Sequence, residues 1–529
     1  MANSPPFEPR RRPVNGAQSV IRTLMAHGVD TCFANPGTSE MHLVQAIDAV
    51  PESRAILCLF EGVCTGAADG YGRMKGVPAT TLLHLGAGLG NGIANLHNCR
   101  RAGTPLVNVI GDHAIHHVAY DAPLTSDIEA VAKPVSNWIR TSRTSEGAGL
   151  DAADAVRAAM APNPDPRGGI STLILPADCA WGPGRATPKA AGFDAAVAKC
   201  RVPAEAIESA ARQIDADTVL FVDGNGLADG GLVGAGRIAA KTGCSVYSPT
   251  FPARVEAGPD LPLVNRLPYF PEQILQLLAT VRRLVLVGAD RPVSFFAYQN
   301  LPSDLVPAGC EVIRVAHRHE DVAGALADIA DALDAPAPEG PGGRRPEVPA
   351  GPLRVRSIAA ILAARAPDNC IVAVDSGGGG AAYGAMQRCV PHTWLNLTGG
   401  SIGQGGPAAV GAAVACPDRP VLALLGDGGA MYTNQFLWTA ARENLDLVAV
   451  IFSNRQYNIL EVEYRRLGVN EIGERAASLF DLSRPDLDWV ALAKAQGVTG
   501  SRAETCAAFD KSLRDAFAEG GPHLIEAVI

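Results

Sequence analysis

The chain has 529 residues, too many for one hydrophobic core, and its 47% hydrophobic and 19% charged residues with a mean hydropathy of +0.10 describe a soluble globular protein for which three domains are expected. A formal net charge of −9, with no basic stripe beyond Arg10-Arg11-Arg12, excludes a nucleic-acid footprint, and no apolar run reaches the length of a membrane span. Twelve scattered cysteines, with no C-x-x-C pair and no histidine at zinc spacing, point to free thiols in a reducing, cytoplasmic setting.

Residues 1–12 read as a solvated N-terminal arm, because Pro13 and Asn15 stand where a twin-arginine signal needs an apolar segment. The first block, 13–183, carries apolar runs of strand length at 31–34, 55–60, 80–83 and 106–110. The first run leads into Asn35-Pro36-Gly37-Thr38 and the second directly into Glu61. The third leads into His84 and a glycine-rich stretch holding Asn91, and the fourth into Gly111-Asp112-His113 with His116 and His117 close behind. Pro183, Pro188 and Pro203 mark a linker over 183–203. The second block, 200–334, has strand-like runs at 218–222 and 284–287, and a denser Pro/Gly linker follows at 335–352. The third block, 352–529, offers strands at 370–374, 421–425 and 447–452 with a helical pattern at 436–441. Short apolar runs alternating with helical patterns predict an α/β fold, each block a parallel sheet flanked by helices. Ligands of such sheets bind beyond the carboxyl ends of the strands.

At those ends, Gly426-Asp427-Gly428-Gly429 closes one strand of the third block and Ser453-Asn454 closes the next, so a carboxylate and a carboxamide share one rim. Glycines let backbone N–H groups approach a phosphate, and a hard cation such as Mg²⁺ takes oxygen ligands of this kind. Alone, the tripeptide also fits an ordinary turn with an exposed Asp. Asp375-Ser376 followed by four glycines is either a flexible turn or an anion nest. Ile402, within Gly399-Gly400-Ser401-Ile402-Gly403, suits core packing as well as a ligand. Glu61 alone would suit a helix N-terminus. His84 suits a satisfied rim position as well as a site that handles protons.

Taken together these segments resemble the thiamine-diphosphate enzymes. Gly426-Asp427-Gly428 followed by Asn454, with Leu437-Trp438-Thr439-Ala440 between them, is similar to that family's metal-diphosphate motif, with Ser453 in place of the usual first asparagine. Residues 55–75 resemble its strand-Glu-helix segment, and the whole chain after the first dozen residues resembles the acetolactate synthase large subunit-like group. The segments around Asn35 and His84 are most similar to benzoylformate decarboxylase.

The resemblance implies pyrimidine-binding (13–183), central (200–334) and diphosphate-binding (352–529) domains. It implies Mg²⁺ on Asp427, Asn454 and the Gln456 carbonyl, and cofactor contacts from Asn35, Pro36, Asn91, Gly377, Gly378, Gly400, Ile402, Gly426, Gly428 and Gly429. Glu61 would activate the cofactor by stabilising its imino tautomer through a shared proton. Thr38 and His84 would face the substrate, with Ile459, Leu460 and Glu463 lining its pocket. His116 and His117 either join that pocket as a proton relay with His113 or belong to a surface loop. Three departures stand out. Ala297 falls where the decarboxylase has a second histidine, Pro123 and Leu124 replace an aromatic and a glutamine of acetolactate synthases, and Glu463 lies near their acceptor-selecting tryptophan. No flavin is expected.

The implied activity is decarboxylation of a small 2-oxo acid with carboligation to a second carbonyl, a transferase reaction. The alternative is a strict lyase releasing an aldehyde, and more remote is a non-catalytic cofactor-binding subunit. The implied assembly is a homodimer or homotetramer with the cofactor between subunits.

Overall fold

A computed structural model describes residues 14–161, 169–185, 199–228, 230–338, 340–469 and 471–529. The N-terminal arm and most of the 183–203 linker lie outside the described residues.

The first block supplies strands β1 (Thr31–Asn35), β2 (Arg54–Leu57), β3 (Ala79–His84), β4 (Leu106–Asp112), β5 (Trp138–Thr141) and β6 (Ile170–Pro176). They form a six-stranded parallel sheet in the order β2-β1-β3-β4-β6-β5. Two helices bear on the site, α1 (Glu61–Lys75) and α2 (Leu85–Ala102). β2 stops at Leu57, so Glu61 does not follow the strand directly. Cys58-Leu59-Phe60 turns the chain first, and Glu61 opens α1 with Phe60 in extended conformation at its cap.

The second block contributes β7 (Thr218–Val222), β8 (Ser245–Ser248), β9 (Arg254–Ala257), β10 (Asn265–Arg266), β11 (Arg283–Val287) and β12 (Glu311–Ala316), with helix α3 (Pro271–Leu278). Five of these strands make a parallel sheet in the order β10-β8-β7-β11-β12. β9 leaves it and pairs antiparallel with a strand of the third block, Val255 opposite Trp394.

The third block holds β13 (Cys370–Asp375), α4 (Gly379–Met386), β14 (His392–Leu395), α5 (Gly405–Ala415), β15 (Val421–Gly426), α6 (Asp427–Met431), β16 (Leu447–Ser453), α7 (Asn458–Arg466), β17 (Thr499–Ala503) and β18 (His523–Val528). Its sheet runs β17-β18-β16-β15-β13-β14-β9. The central strands β13, β15 and β16 are buried along nearly their whole length, as continuous Val/Ile/Leu/Ala runs require when helices cover both faces. The described residues of the 335–352 segment form no helix or strand but are tied down, with the Arg345 guanidinium donating to the Ala364 and Ala366 carbonyls at 3.1 and 2.8 Å.

The blocks share their cores. One cluster runs from Leu220 and Val285 to Val372 and Val450, and another from Ile56 and Leu83 to Ala423 and Ile451. Helices α1 and α5 meet through small residues. A Cβ on Gly411 would lie 1.8 Å from the Ala67 carbonyl oxygen, and one on Gly70 2.1 Å from that of Ala408. This close approach brings the start of α1 beside the loop before α5, where the Asn95 amide donates to both Gly62 O (2.8 Å) and Gly403 O (3.3 Å). Among the described residues no helix is long and apolar enough to cross a membrane.

Candidate cofactor and substrate site

β15 and β16 pair in parallel with Gly426 opposite Phe452, so Asp427 and Asn454 emerge side by side on one rim. Asp427 opens α6 with its side chain buried. Its carboxylate oxygens accept the N–H groups of Gly428 (2.8 Å) and Arg455 (2.6 Å). Burial pushes the Asp427 carboxyl up against the opposing pull of those N–H donors. Arg455 takes the left-handed region at φ 58°, and the Asn454 Oδ1 accepts the Gln456 N–H at 3.2 Å, which folds this loop over the rim. Gly428 needs its lack of a side chain because the Tyr457 ring would lie 2.2 Å from a Cβ there. Gly429 faces Asp375 and Ile402 at 3.6 Å, while Gly426 is half-buried with its nearest neighbour at 3.7 Å. Ser453 turns the other way and donates to the buried Glu526 at 3.2 Å, so the residue in place of the usual asparagine serves the sheet rather than the rim.

At the neighbouring strand end, Asp375 is the anchor that sequence reasoning passed over. Its buried Oδ2 accepts the N–H groups of Gly403 (2.5 Å), Gln404 (2.9 Å) and Gly405 (3.4 Å), pinning the start of α5 to β13. Burial pushes this carboxyl up despite the three donors. Gly377 is exposed with open space around it, and Gly378 lies against the Phe452 ring. The segment 399–403 is gripped from α2 as well. His97 Nε2 lies 3.1 Å from Gly399 O, and the Asn98 amide exchanges bonds with Ser401 O (2.7 Å) and Ser401 N–H (3.2 Å). Gly400 at φ 77° and Gly403 at φ 95° allow the chain to bulge between them, leaving Ile402 half-exposed at the tip.

On the first sheet, Glu61 is buried and its Oε2 accepts the Asn91 amide at 3.0 Å. His84 ends β3, and its Nδ1 lies 2.8 Å from Glu40 Oε2 and 3.2 Å from Ser39 Oγ. Glu40 is fully buried and also accepts the Gly37 N–H (2.7 Å) and the Ser39 hydroxyl (2.6 Å). Gly111 makes room for it, since a Cβ there would sit 1.9 Å from Glu40 Oε1. Glu40 was not among the residues picked out by sequence. The available signal was an acid three residues after Gly37, the spacing at which a side chain reaches back to a helix-start N–H. Asn35 and Pro36 are half-buried beside this pair, and Thr38 is exposed at the first position of a short 3₁₀ turn.

The histidines after β4 lie apart from the His84–Glu40 pair in their contacts. His116 is exposed with Nδ1 3.8 Å from Asp178 Oδ2, and His117 is exposed against the rings of His113 and Tyr120. Ile459 and Leu460 on α7 are exposed, while Glu463 accepts the Tyr298 hydroxyl at 2.9 Å and lies 3.5 Å from Arg466.

A glycine-lined carboxylate and carboxamide thus stand at two parallel strand ends near a clamped glycine loop. Residues 14–132 match the thiamine pyrophosphate enzyme N-terminal TPP binding domain, and residues 378–527 match the C-terminal TPP binding domain of the same enzymes. The chain belongs to the thiamine pyrophosphate (thiamine diphosphate) enzyme family. Within it, the chain falls in the acetolactate synthase and benzoylformate decarboxylase group. It is 49% identical to the Mycobacterium tuberculosis protein named "Putative acetolactate synthase large subunit IlvX", over 98% of this chain and 99% of that one. It is 30% identical to benzoylformate decarboxylase of Pseudomonas aeruginosa, over 95% of this chain and 96% of that one. The solved thiamine diphosphate-dependent 4-hydroxybenzoylformate decarboxylase of Rhodococcus jostii RHA1 superposes with a TM-score of 0.81 at 25% identity, covering 97% of this chain and 98% of that one.

Proposed function

We propose that the chain is a thiamine-diphosphate- and Mg²⁺-dependent 2-oxo acid decarboxylase, assembled as a homodimer or homotetramer with the cofactor between subunits. When bound, thiamine diphosphate supplies a nucleophilic carbon for the 2-oxo group and a sink for the electron pair left by CO₂.

The residues fit that group. Asp427 is a buried carboxylate whose oxygens accept backbone N–H groups at the tip of its strand, and a hard divalent cation suits such a donor. Asn454 and the Gln456 carbonyl would complete the protein's share of Mg²⁺ ligands. The buried Ser376 hydroxyl has no hydrogen-bond partner, and with Gly377, Gly378 and the N–H groups of 426–429 it would hold the diphosphate. Ile402, held out between two left-handed glycines, would brace the cofactor's bend, and the Gly400 carbonyl would accept from its exocyclic amine. Asn35, Pro36 and Asn91 would border the pyrimidine.

Glu61 carries the reading that the enzyme is active. It is a buried acid whose carboxylate accepts the Asn91 amide, a neutral partner that an amide in its place would satisfy as well. A silent cofactor-binding subunit would have no use for it. In this reading Glu61 shares a proton with the pyrimidine ring, Asn91 orients it, and His84 and Thr38 meet the substrate, His84 oriented by Glu40. The twelve free thiols suit a reducing, cytoplasmic setting.

Joining to a second carbonyl, as acetolactate synthases do, is a second reading favoured by the 49% identity to the mycobacterial protein carrying that name. The test supplies purified protein with thiamine diphosphate, Mg²⁺ and 2-oxo acids from pyruvate to benzoylformate, and records CO₂ and the organic product. Aldehyde is the expected product. A 2-hydroxy ketone or acetohydroxy acid would establish the second reading, and absence of CO₂ from every acid would overturn both.

A further inference from the structure

Arg266 ends β10 and reaches from the second block to the third. Its guanidinium carbon lies 4.2 Å from the centroid of the Tyr383 ring on α4, and its Nη1 donates to Asn396 Oδ1 at 2.7 Å. Asn396 is held in turn, with Oδ1 accepting the Trp394 indole N–H at 3.1 Å and the amide donating to Pro252 O at 2.8 Å. One ring and one neutral amide therefore fix the cation in place. Arg73, Arg254, Arg318 and Arg466, which also tie the second block to its neighbours, each hold a carboxylate. Arg266 pairs with no carboxylate among the described residues, although it is half-buried. Burial pulls its guanidinium down from the ordinary value. A cation in such a position costs stability unless an anion meets it.

The other edge of the guanidinium borders the head of α4. Arg266 Nη2 lies 3.9 Å from where a Gly380 Cβ would stand, and no other group comes within 4 Å of that point. Four glycines, 377–380, stand where side chains could have filled this space. No side chain caps α4, and the buried Ser376 Oγ just before it has no hydrogen-bond partner. An uncapped helix start presents N–H groups and the positive end of the helix dipole. Ser376 Cβ lies 4.0 Å from a Gly426 Cβ position, which joins the head of α4 to the 426–429 rim. An unpaired guanidinium, a partnerless hydroxyl and a bare helix start thus lie together, and each favours negative charge or an acceptor.

We propose that Arg266 is an oxyanion-binding residue, through which the second block supplies the cation for a phosphate or carboxylate at the head of α4. The proposal rests on the reading of the chain as a thiamine-diphosphate-dependent 2-oxo acid decarboxylase. That reading brings two such groups to the rim, the diphosphate of the cofactor and the carboxylate of the substrate. Both present adjacent oxygens to a guanidinium edge, and such charge-assisted bonds are about twice as strong as neutral ones. Tyr383 covers one face of the guanidinium and Asn396 occupies Nη1, which leaves Nη2 as a donor beside Gly380. A lysine would keep the charge and lose both the stacking and the fork.

The test uses the full chain with Mg²⁺. Calorimetry measures binding of thiamine diphosphate and of inorganic pyrophosphate. On the holoenzyme it then measures oxamate and its uncharged amide oxamide, two unreactive analogues of a small 2-oxo acid. Arg266→Met removes the charge, and Asn396→Asp neutralises it in place while the stacking on Tyr383 remains. Circular dichroism and size-exclusion chromatography check fold and assembly. If the anion is the diphosphate, both variants should bind thiamine diphosphate and pyrophosphate about 10- to 100-fold more weakly, with a shallower salt dependence than wild type. If it is the substrate carboxylate, cofactor affinity should hold, and the preference for oxamate over oxamide should shrink by a similar factor. Unchanged affinity for all four ligands in folded Arg266→Met would overturn the assignment. So would equal weakening of oxamate and oxamide, or weaker cofactor binding with an unaltered salt slope, since both report lost packing. Loss of assembly alone would make Arg266 a subunit contact and overturn it too. CO₂ release by the wild type, with neither loss in the variants, sinks the Arg266 assignment and leaves the decarboxylase reading standing. Either loss without CO₂ from any 2-oxo acid upholds Arg266 while that reading falls.

Discussion

Glu40 brings a fully buried carboxylate against three donors, the Gly37 N–H, the Ser39 hydroxyl and the His84 ring. With Nδ1–H given to Glu40, the ring keeps Nε2 for another partner, which the proposed function makes the substrate, as acceptor when neutral and donor when protonated. A buried orienting acid of this kind acts through its histidine, so the two residues form one unit. Glu40→Gln and His84→Ala should each lower kcat/KM about 10- to 100-fold, the range seen when an orienting partner is removed. The double variant should lose little more than either single one. Full multiplication of the two losses in steady-state kinetics would show that Glu40 only packs. Glu61 makes a contrasting prediction. Glu61→Gln keeps the shape and the Asn91 contact, so thiamine diphosphate affinity should be preserved while turnover falls by about 100-fold or more, the order expected for removal of a positioned acid–base group. Wild-type turnover in that variant would refute its assigned role.

Elements bring these residues together, and the Asp375 tip of β13 does so for the 399–403 loop. Three N–H groups of 403–405 converge on one carboxylate, so the strand and the start of α5 move as a piece. Asp375→Asn should loosen Ile402 and weaken thiamine diphosphate binding, read by titration. The pH dependence has a definite sign. Because burial raises the Asp375 carboxyl in the folded chain, its contribution to stability is fully present below the ordinary carboxyl range. It is lost as pH rises through the raised value. Thermal melts of cofactor-free protein should therefore show a wild-type advantage over Asp375→Asn that is larger at mildly acidic than at mildly alkaline pH. An advantage growing with pH would mean that the ionised form is the one preferred.

Strands buried on both faces are written as unbroken apolar runs, and 218–222 coincides with β7 while 421–425 falls one residue short of β15. The glycine-rich strand ends were legible for the same local reason. The partners that give side chains their roles are not local. Glu40 meets His84 across 44 residues of sequence and Tyr298 meets Glu463 across 165, and neither separation leaves a periodic trace. β9 is only four residues long, and its place beside β14 depends on a sheet edge that exists only after the third block has folded.

Across the whole molecule the blocks are tied at one buried ion pair. Arg73 and Asp69 on α1 are both nearly inaccessible and 2.6 Å apart. The guanidinium also donates to Ala253 O (3.2 Å) in the second block and to Asn396 O (2.7 Å) and Thr398 Oγ1 (3.0 Å) in the third. Asp69 in turn accepts the Thr104 hydroxyl at 2.6 Å and the Gln404 amide just after the 399–403 loop. The pair itself gains little net stability after desolvation, but breaking it leaves one charge buried and unbalanced. Arg73→Met should therefore cost about 3–5 kcal/mol in denaturant unfolding, far more than an exposed arginine would. Because the hydrophobic clusters run between blocks, the wild type should unfold in one transition. Adding Asp69→Asn to Arg73→Met removes the stranded charge and should recover part of the loss. Recovery would identify the unbalanced carboxylate as the source of the destabilisation. No recovery, together with a split into separate transitions, would mean that the three bonds from Arg73 to the other blocks are what hold them in register.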